Sequence, residues 1–270
     1  MLVSFVLAGR TGNNIFQYLM CKLLGIYFGH IYVPVEQFPN KTDHNVFIIT
    51  DENAGEILTN KSIDITTKHI LCEGYFQKDY FYLPKRNELL EIFYSPNNMD
   101  YWQFRNDQLY VRRLATVRHR IPNLTEDDIV MSVRLDDFCH IDNPTQITNI
   151  VSPEYYTNIL NGIRFKQLYI VIDKIRQPWE VKYMSNFMKY NPIILQEELL
   201  CDIALMRDCN RLIHSNSTLC WIISFLSNKT ERYIPVTDFY GAHQCLTKID
   251  NTDNVQNINS LTHSEFGKLR

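Results

Sequence analysis

Apolar and polar positions along the chain follow two alternating patterns. Short runs rich in Val, Ile and Leu predict buried strands, and longer segments with apolar residues three and four positions apart predict helices. The predicted strands are 2–7, 31–35, 46–49, 69–73, 128–134, 168–172, 193–195 and 211–214. The predicted helices lie after 13, at 85–93, within 101–119, after 152, and at 178–190, 197–208 and 217–226. Strands and helices that alternate in this way predict an α/β fold.

A break at Ile121-Pro122-Asn123 divides this alternation into two series. We expect an N-terminal Rossmann-like unit at 1–121 and a second unit at 122–247. The Asn-rich polar tail at 248–270 is expected to be at least partly disordered. Because ligands of open α/β sheets bind at the carboxyl ends of the strands, the predicted architecture is two Rossmann-like halves facing a cleft.

The composition excludes several classes of protein. Hydrophobic residues make up 45% of the 270 positions and charged residues 21%, as in an ordinary globular protein. The net charge of −3 argues against a nucleic-acid binder, which normally carries a basic surplus. No segment approaches the ~18 apolar residues that a membrane span needs, and no basic stretch precedes the short apolar start. These features predict a cytoplasmic protein with no membrane span.

The seven cysteines agree with that location. Their number is odd, they form no CxxC pair or zinc-like cluster, and most lie in apolar stretches. Free cysteine in such surroundings behaves as a small hydrophobic residue. We therefore expect reduced thiols rather than a disulfide framework, which would leave one cysteine unpaired.

Polar residues at two predicted strand ends are candidates for anion binding. Ser215-Asn216-Ser217-Thr218 opens an apolar helix, whose first backbone N–H groups can bind an anion or simply receive an ordinary N-cap. Arg134 ends a buried strand, where it can clamp a diphosphate with two hydrogen bonds or form a salt bridge to Asp136 or Asp137. The residue pattern alone leaves both pairs of alternatives open.

A glycine-containing turn follows the first predicted strand. Gly9-x-x-Gly12-Asn13 allows a ligand to approach the backbone closely. It lacks the full GxGxxG pattern and the lysine of a P-loop, so it does not by itself define a nucleotide site. The missing lysine also excludes a kinase-like enzyme of the P-loop class.

Six segments, taken in order, resemble the alpha-1,2-fucosyltransferase family. Residues 9–18 (GRTGNNIFQY) are similar to its Gly-Arg-x-Gly-Asn-x-x-Phe-Gln-Tyr opening, and 73–81 (EGYFQKDYF) to its Gly-Tyr-Phe-Gln block. Residues 132–138 correspond to its His-x-Arg-Arg-Gly-Asp-Tyr element, and 152–156 to the Tyr-Tyr helix that follows. Residues 171–173, with Trp179 beyond, are similar to its Ser-Asp-Asp…Trp segment. Residues 202–206 and 214–221 are similar to its closing Asn-Ser-Ser/Thr-Phe-Ser-Trp block. The resemblance spans about residues 3 to 235.

This resemblance implies a GT-B-like glycosyltransferase that moves L-fucose from GDP-fucose to a glycan hydroxyl in alpha-1,2 linkage. The implied reaction is inverting and independent of metal and cofactor, and the N-terminal unit is the acceptor side. Negative charge builds on the departing diphosphate, and a fixed arginine with helix-end N–H groups stabilises it. The implied donor-binding residues are Gly12, Asn13, Arg134, Asp173, Asn216, Ser217 and Thr218.

Fewer residues can be assigned to the acceptor side. An inverting transfer needs a carboxylate that accepts or orients the acceptor proton, and Asp136, Asp137 and Glu73 are the candidates. We choose Asp137, with Arg134, as the catalytic residues. The resemblance places Tyr75 and Gln77 on the acceptor side. Adjacent Asp136 and Asp137 point to opposite faces of an extended segment, so they are poor joint ligands of a metal.

Three departures from the family pattern leave alternatives open. Ser132 stands for its histidine, Leu135 for its second arginine and Asp136 for its glycine. The donor could therefore be another nucleotide-linked deoxyhexose, or the chain could be a non-catalytic carbohydrate-binding protein on a degenerate scaffold. Retention of Arg134, Asn13 and Gln17, together with the 216–218 helix start, favours the transferase.

Overall fold

The computed structural model describes residues 1–59, 64–94, 117–135, 150–227, 231–236, 246, 249, 253–257 and 268. Contacts divide the chain into two compact units. Of the described residues, those up to 94 and residue 246 belong to the first unit, and the others belong to the second. Each unit contains a parallel sheet with helices. The predicted fold class, α/β with two Rossmann-like halves, is confirmed.

Among its described residues, the first unit has a sheet of four parallel strands in the order β2-β1-β4-β3. The strands are β1 (Leu2–Phe5), β2 (Ile31–Tyr32), β3 (Val46–Thr50) and β4 (His69–Glu73). The helices are α1 (Thr11–Phe28), α2 (Ala54–Thr59), α3 (Asp79–Tyr82) and α4 (Arg86–Tyr94). Because β1 and β4 pair directly, the loops that follow them meet at one edge of the sheet.

Helix α1 is the main support of this sheet. Ile15, Phe16, Leu19 and Leu23 are buried, and their three- and four-residue spacing places them along one side of the helix. Gly29 caps the C-terminus of the helix. Its φ of 73° lies in the left-handed region, and its N–H donates a hydrogen bond to Gly25 O. Glycine adopts that conformation without the steric cost that other residues incur. The predicted helix is present, but residues 14–21 are all buried, so it is enclosed on more than one side.

The second unit, as far as it is described, has six parallel strands in the order β10-β9-β8-β5-β6-β7. The strands are β5 (Ile129–Val133), β6 (Leu168–Ile172), β7 (Ile193–Leu195), β8 (Arg211–Ile213), β9 (Glu231–Val236) and β10 (Asn254–Asn257). The helices are α5 (Pro153–Gly162), α6 (Pro178–Ser185), α7 (Leu199–Asp208) and α8 (Thr218–Phe225). Numbered from β5, this is the 3-2-1-4-5-6 order of the Rossmann fold.

Burial on both faces explains why the central strands β5 and β6 are apolar at every position except Ser132. Every residue of β5 and β6 is buried, as is usual for parallel strands covered on both faces. Helix α5 packs Tyr155, Tyr156 and Ile159 into the same core. It begins where predicted, with Ser152 Oγ accepting a hydrogen bond from Glu154 N at 3.3 Å.

Some predicted boundaries differ from the structure. Strand β1 ends at Phe5 rather than at residue 7, and the helix predicted at 178–190 ends at Ser185, with a separate 3₁₀ turn at Met188–Tyr190. Residues 101–116 of the long predicted helix lie outside the described residues, and Arg118–Arg120 form a 3₁₀ turn. Within the polar tail, residues 254–257 form β10, whose backbone pairs with β9. A polar strand of this kind carries no apolar signal.

Within the described residues, no helix has the length and apolar character required to cross a membrane. Cys21, Cys72, Cys201, Cys209 and Cys220 are buried free thiols, as predicted. Cys139 and Cys245 lie outside the described residues.

Candidate functional site

The order in which the chain adds strands to the second sheet reverses between β5 and β8. The chain runs from β5 to β6 on one side and from β8 to β9 on the other, so the two connections diverge. In open α/β sheets a ligand binds in the crevice that such divergence opens at the carboxyl ends of the strands. Ser132 Oγ of β5 lies 2.9 Å from Ser215 Oγ, which follows β8, and this contact joins the two sides of the crevice. We call this place the β5–β8 crevice.

Arg134 leaves β5 at this edge. Its Nη1 lies 3.0 Å from Asp173 Oδ2, and Asp173 directly follows the neighbouring strand β6. The Arg134 side chain is 21% exposed, so most of it is already withdrawn from water. The two predicted donor-binding residues are therefore adjacent. A fixed guanidinium keeps a planar set of donors, which suits diphosphate oxygens.

The loop between β8 and α8 leads into the N-terminus of helix α8. Ser215 and Asn216 are buried, and Ser217 is the N-cap residue of α8. The Ser217 hydroxyl makes no capping hydrogen bond, so it is not committed to the ordinary N-cap role. Thr218 is the first helical residue, and the first N–H groups of a helix have no intrahelical acceptor. The predicted residues 216–218 thus stand at the β5–β8 crevice as a potential anion site.

A buried polar network lies beneath this loop. His214 Nε2 lies 3.1 Å from Ser224 Oγ, and Ser224 Oγ accepts a 2.8 Å hydrogen bond from Arg232 Nε. Arg232 Nη1 in turn pairs with the fully buried Asp253 at 3.0 Å. Burial and the Arg232 charge lower the pKa of His214 to about 3. His214 is therefore neutral at physiological pH, which suits a packed residue rather than a catalytic base.

Asp202, in the first turn of α7, was missed as a site residue. Its Oδ1 is buried and has no hydrogen-bond partner within the described part of the chain. Burial, together with the charges of Asp173 and Glu197, raises the pKa of Asp202 to about 8. Perturbed carboxyl groups of this kind concentrate at functional sites. Asp202 is the first residue of one of the family-like segments, so the sequence did point to it. The resemblance assigned no role to Asp202, however.

Replacing Asp202 by asparagine is expected to stabilise the protein at alkaline pH. The folded carboxyl has a pKa of about 8, whereas the pKa of the unfolded one is about 3.9, so the wild-type free energy of unfolding falls as pH rises between them. The asparagine side chain cannot ionise, and the variant should gain on the order of a few kcal/mol near pH 9 but little near pH 4. Urea unfolding of both proteins across this range measures the difference.

Asp127→Asn is the matched control, because that carboxyl is exposed in a turn. It should track the wild type at every pH. Equal stability of Asp202→Asn and the wild type near pH 9 would show that Asp202 ionises without cost.

Polar side chains also join the two loops at the edge of the first sheet. Gln17 Nε2 donates to Val6 O at 2.8 Å and to Gly74 O at 2.9 Å, and so ties the loop after β1 to the loop after β4. Asn14 Nδ2 bonds Ala8 O at 2.9 Å. These two buried amides explain why the family-like segment 9–18 carries Asn and Gln, although neither was predicted to be a site residue.

The predicted first-unit residues meet at this edge. Gly12 is buried in the first turn of α1, and Asn13 beside it accepts a 2.6 Å hydrogen bond from Gln77 Nε2. Gln77 itself is 1% exposed, whereas Tyr75 is 42% exposed. The acceptor-side roles of Tyr75 and Gln77 remain predictions.

Only one of the three candidates for the catalytic base lies among the described residues. Asp136 and Asp137 lie outside the described residues. Glu73, the third candidate, pairs with Lys41 at 3.5 Å. Asp137 therefore remains a prediction, and so does the absence of a metal. In the part of the chain that the structure describes, no three His, Cys, Asp or Glu residues form a group able to hold a metal ion.

Comparison with known proteins does not identify a family for this chain. No family model matches the chain, and no curated protein matches it either. Among solved structures, POFUT1 in complex with GDP-fucose is similar with a TM-score of 0.35 and 13% identity over 86% of this chain and 97% of that chain. The apo form gives a TM-score of 0.36 and 10% identity over the same shares.

A third solved structure, POFUT1 in complex with GDP, gives a TM-score of 0.33 and 10% identity over 60% of this chain. Here the chain spans 55% of the length of its neighbour. Likenesses this weak carry no argument about function. The resemblance to the alpha-1,2-fucosyltransferases accordingly stays a proposal.

Proposed function

We propose that the chain is a glycosyltransferase that transfers a sugar from a nucleoside-diphosphate donor to a glycan hydroxyl. The observation that carries the proposal is the β5–β8 crevice, where Arg134 and the start of α8 stand at the switch point of a sheet in Rossmann order. Both groups favour an anion, and a diphosphate is the anion that leaves in this reaction. The family-like segments favour L-fucose from GDP-fucose and an alpha-1,2 linkage.

In the proposed reaction the donor diphosphate lies in the β5–β8 crevice. Arg134, Asn216, the hydroxyls of Ser217 and Thr218, and the first N–H groups of α8 stabilise the charge that develops as the sugar–phosphate bond breaks. Asp173 holds the guanidinium by its 3.0 Å ion pair, so little reorganisation is needed during the reaction. The resemblance also assigns Gly12 and Asn13 to donor binding, and in the proposed reaction Asp137 takes the proton of the acceptor hydroxyl. The transfer inverts the anomeric centre and uses no metal.

One observation keeps the identity of the donor open. Leu135, which replaces the family's second arginine, is buried in the hydrophobic core next to Arg134. This position therefore contributes packing and no charge to the donor site. A donor other than GDP-fucose, such as a different nucleotide-linked deoxyhexose, is the second candidate.

Calorimetry with GDP, UDP, dTDP and CMP, with and without magnesium, tests the proposal. GDP is expected to bind with micromolar affinity whether or not magnesium is present, and GDP-fucose to yield product with a suitable glycan. Selective binding of UDP or dTDP would retain the transferase and exclude fucose. If no nucleotide binds, the non-catalytic carbohydrate-binding scaffold becomes the better description.

A further inference from the structure

Ser132 stands at the end of β5, two residues before Arg134. Positions two apart in a strand are separated by about 7 Å. The carbonyl oxygen of Ser132 accepts a 3.1 Å hydrogen bond from Tyr156 Oη of α5, and β5 pairs with β6 on one side and β8 on the other. The strand therefore holds Ser132 at a fixed place close to Arg134.

The Ser132 hydroxyl is bonded to the loop and to the helix that follow β8. Its Oγ lies 2.9 Å from Ser215 Oγ. The Cys220 thiol, in the first turn of α8, is hydrogen-bonded to the Ser132 side chain and to the Ser215 backbone. A hydroxyl group both donates and accepts, so one chain of hydrogen bonds can run from Ser215 through Ser132 to the thiol. All three side chains are buried, so water does not compete for these bonds.

The turn between Ser215 and α8 is tight. Ser217 N donates to Ser215 O at 2.8 Å, and Trp221 N donates to Ser217 O at 3.0 Å as the helix begins. A displacement of Ser215 would therefore be passed on to Ser217 and to the first turn of α8. The start of this helix is thus tied to β5 both by the turn and by the Ser132 hydroxyl.

We propose that Ser132 is a positioning residue that holds the start of α8 at the distance from Arg134 at which one diphosphate reaches both. This inference rests on the proposed function. The guanidinium and the positive end of the helix dipole attract the same anion, but they repel each other when no anion is bound. A neutral link between them keeps the site assembled before the donor arrives, which lowers the cost of binding. Ser132 acts through these two groups and needs no contact with the ligand.

The test is Ser132→Ala, which removes only the hydroxyl group. GDP affinity is expected to fall by about five- to tenfold in calorimetry. GMP has a single phosphate group and cannot reach both Arg134 and α8, so its affinity should change by less than about twofold. A variant that merely loosens the fold would weaken both nucleotides alike. The ratio of the GDP and GMP affinities is therefore the deciding quantity.

Variants of the neighbouring residues and a matched control complete the design. Ser215→Ala should show the same selective loss, and adding it to Ser132→Ala should change little, because both remove the same bond. Cys220→Ser keeps a small polar group and should bind GDP like the wild type. The control is Ser4→Ala, because Ser4 is buried in a strand and its hydroxyl has no hydrogen-bond partner among the described residues. It should leave both affinities unchanged, and thermal unfolding of each variant checks that the fold is retained.

Inorganic pyrophosphate separates this inference from the proposed function. Wild-type GDP binding with an unchanged ratio of GDP and GMP affinities in Ser132→Ala contradicts the inference alone. Failure of the wild type to bind any nucleotide contradicts the proposed function. Pyrophosphate, titrated alone and followed by phosphorus NMR, then tests the anion site itself. Weaker pyrophosphate binding by Ser132→Ala supports the inference, and equal binding, or no binding by the wild type, contradicts it.

Discussion

Substituting Arg134 by alanine is expected to weaken GDP binding by about a hundredfold or more. Arg134 is the cation at the end of β5, and its side chain is mostly buried beside Asp173. Removing a charge-assisted, bidentate contact with a diphosphate costs several times more than removing a neutral hydrogen bond. The loss should appear as a higher dissociation constant in calorimetry and as a larger fall in kcat/KM for transfer, because Arg134 also stabilises the charge that develops in the transition state.

Arg134→Lys separates charge from geometry. Lysine keeps the positive charge but loses the planar set of donors, so an intermediate loss of about tenfold is expected. The Arg134→Ala variant also leaves the Asp173 carboxylate without its ion pair. Combining it with Asp173→Asn removes that charge and shows whether the unpaired carboxylate contributes to the loss of GDP binding. The double variant should bind GDP nearly as weakly as Arg134→Ala.

Arg118→Ala is the matched control. Arg118 belongs to the same unit and forms an ion pair with Asp208, but its side chain is 51% exposed. Exposed ion pairs contribute little, so this variant should bind GDP like the wild type. GDP binding by Arg134→Ala at wild-type strength would contradict the placement of the diphosphate in the β5–β8 crevice.

The sequence predicted strands β5 to β8 of the second unit because each is mostly apolar, whereas β9 and β10, which contain charged or polar residues, were not predicted. The five residues of β6, for example, are all buried, and the chain turns polar on either side of them. Such runs identify strands and their ends, and therefore the residues at the carboxyl edge of the sheet, including Arg134 and Asp173. They do not give the order of the strands. The switch between β5 and β8 emerged only when the pairing was known.

Other features were beyond sequence reasoning because they depend on one specific neighbour. The polar strand β10 is held by backbone pairing with β9, and Asp253 just before it is buried against Arg232. Asp202 has a perturbed pKa because folding buries it near Asp173. The bond between Gln77 and Asn13 joins residues that are 64 positions apart. No periodic pattern records contacts of this kind.

The buried Arg232–Asp253 pair is expected to be a large single contribution to the stability of the second unit. Arg232 is 1% exposed, and besides Asp253 it donates to Ser224 and to Ser227 O at 3.0 Å. Removing one member of a buried pair leaves the other charge uncompensated, which typically costs about 3–5 kcal/mol. Arg232→Met, which keeps much of the volume, should lower the free energy of unfolding in urea by that amount.

Two comparisons make this result specific to the buried network. Arg232→Met combined with Asp253→Asn removes both charges and should recover part of the loss, because no unpaired charge remains in the core. Arg211→Met, on the neighbouring strand β8, breaks a partly exposed pair with Glu231 at 3.4 Å and should cost less than about 1 kcal/mol. If Arg232→Met costs no more than Arg211→Met, the network does not anchor β9. His214 and Ser224 would then keep their places beneath the loop of the β5–β8 crevice without help from the arginine.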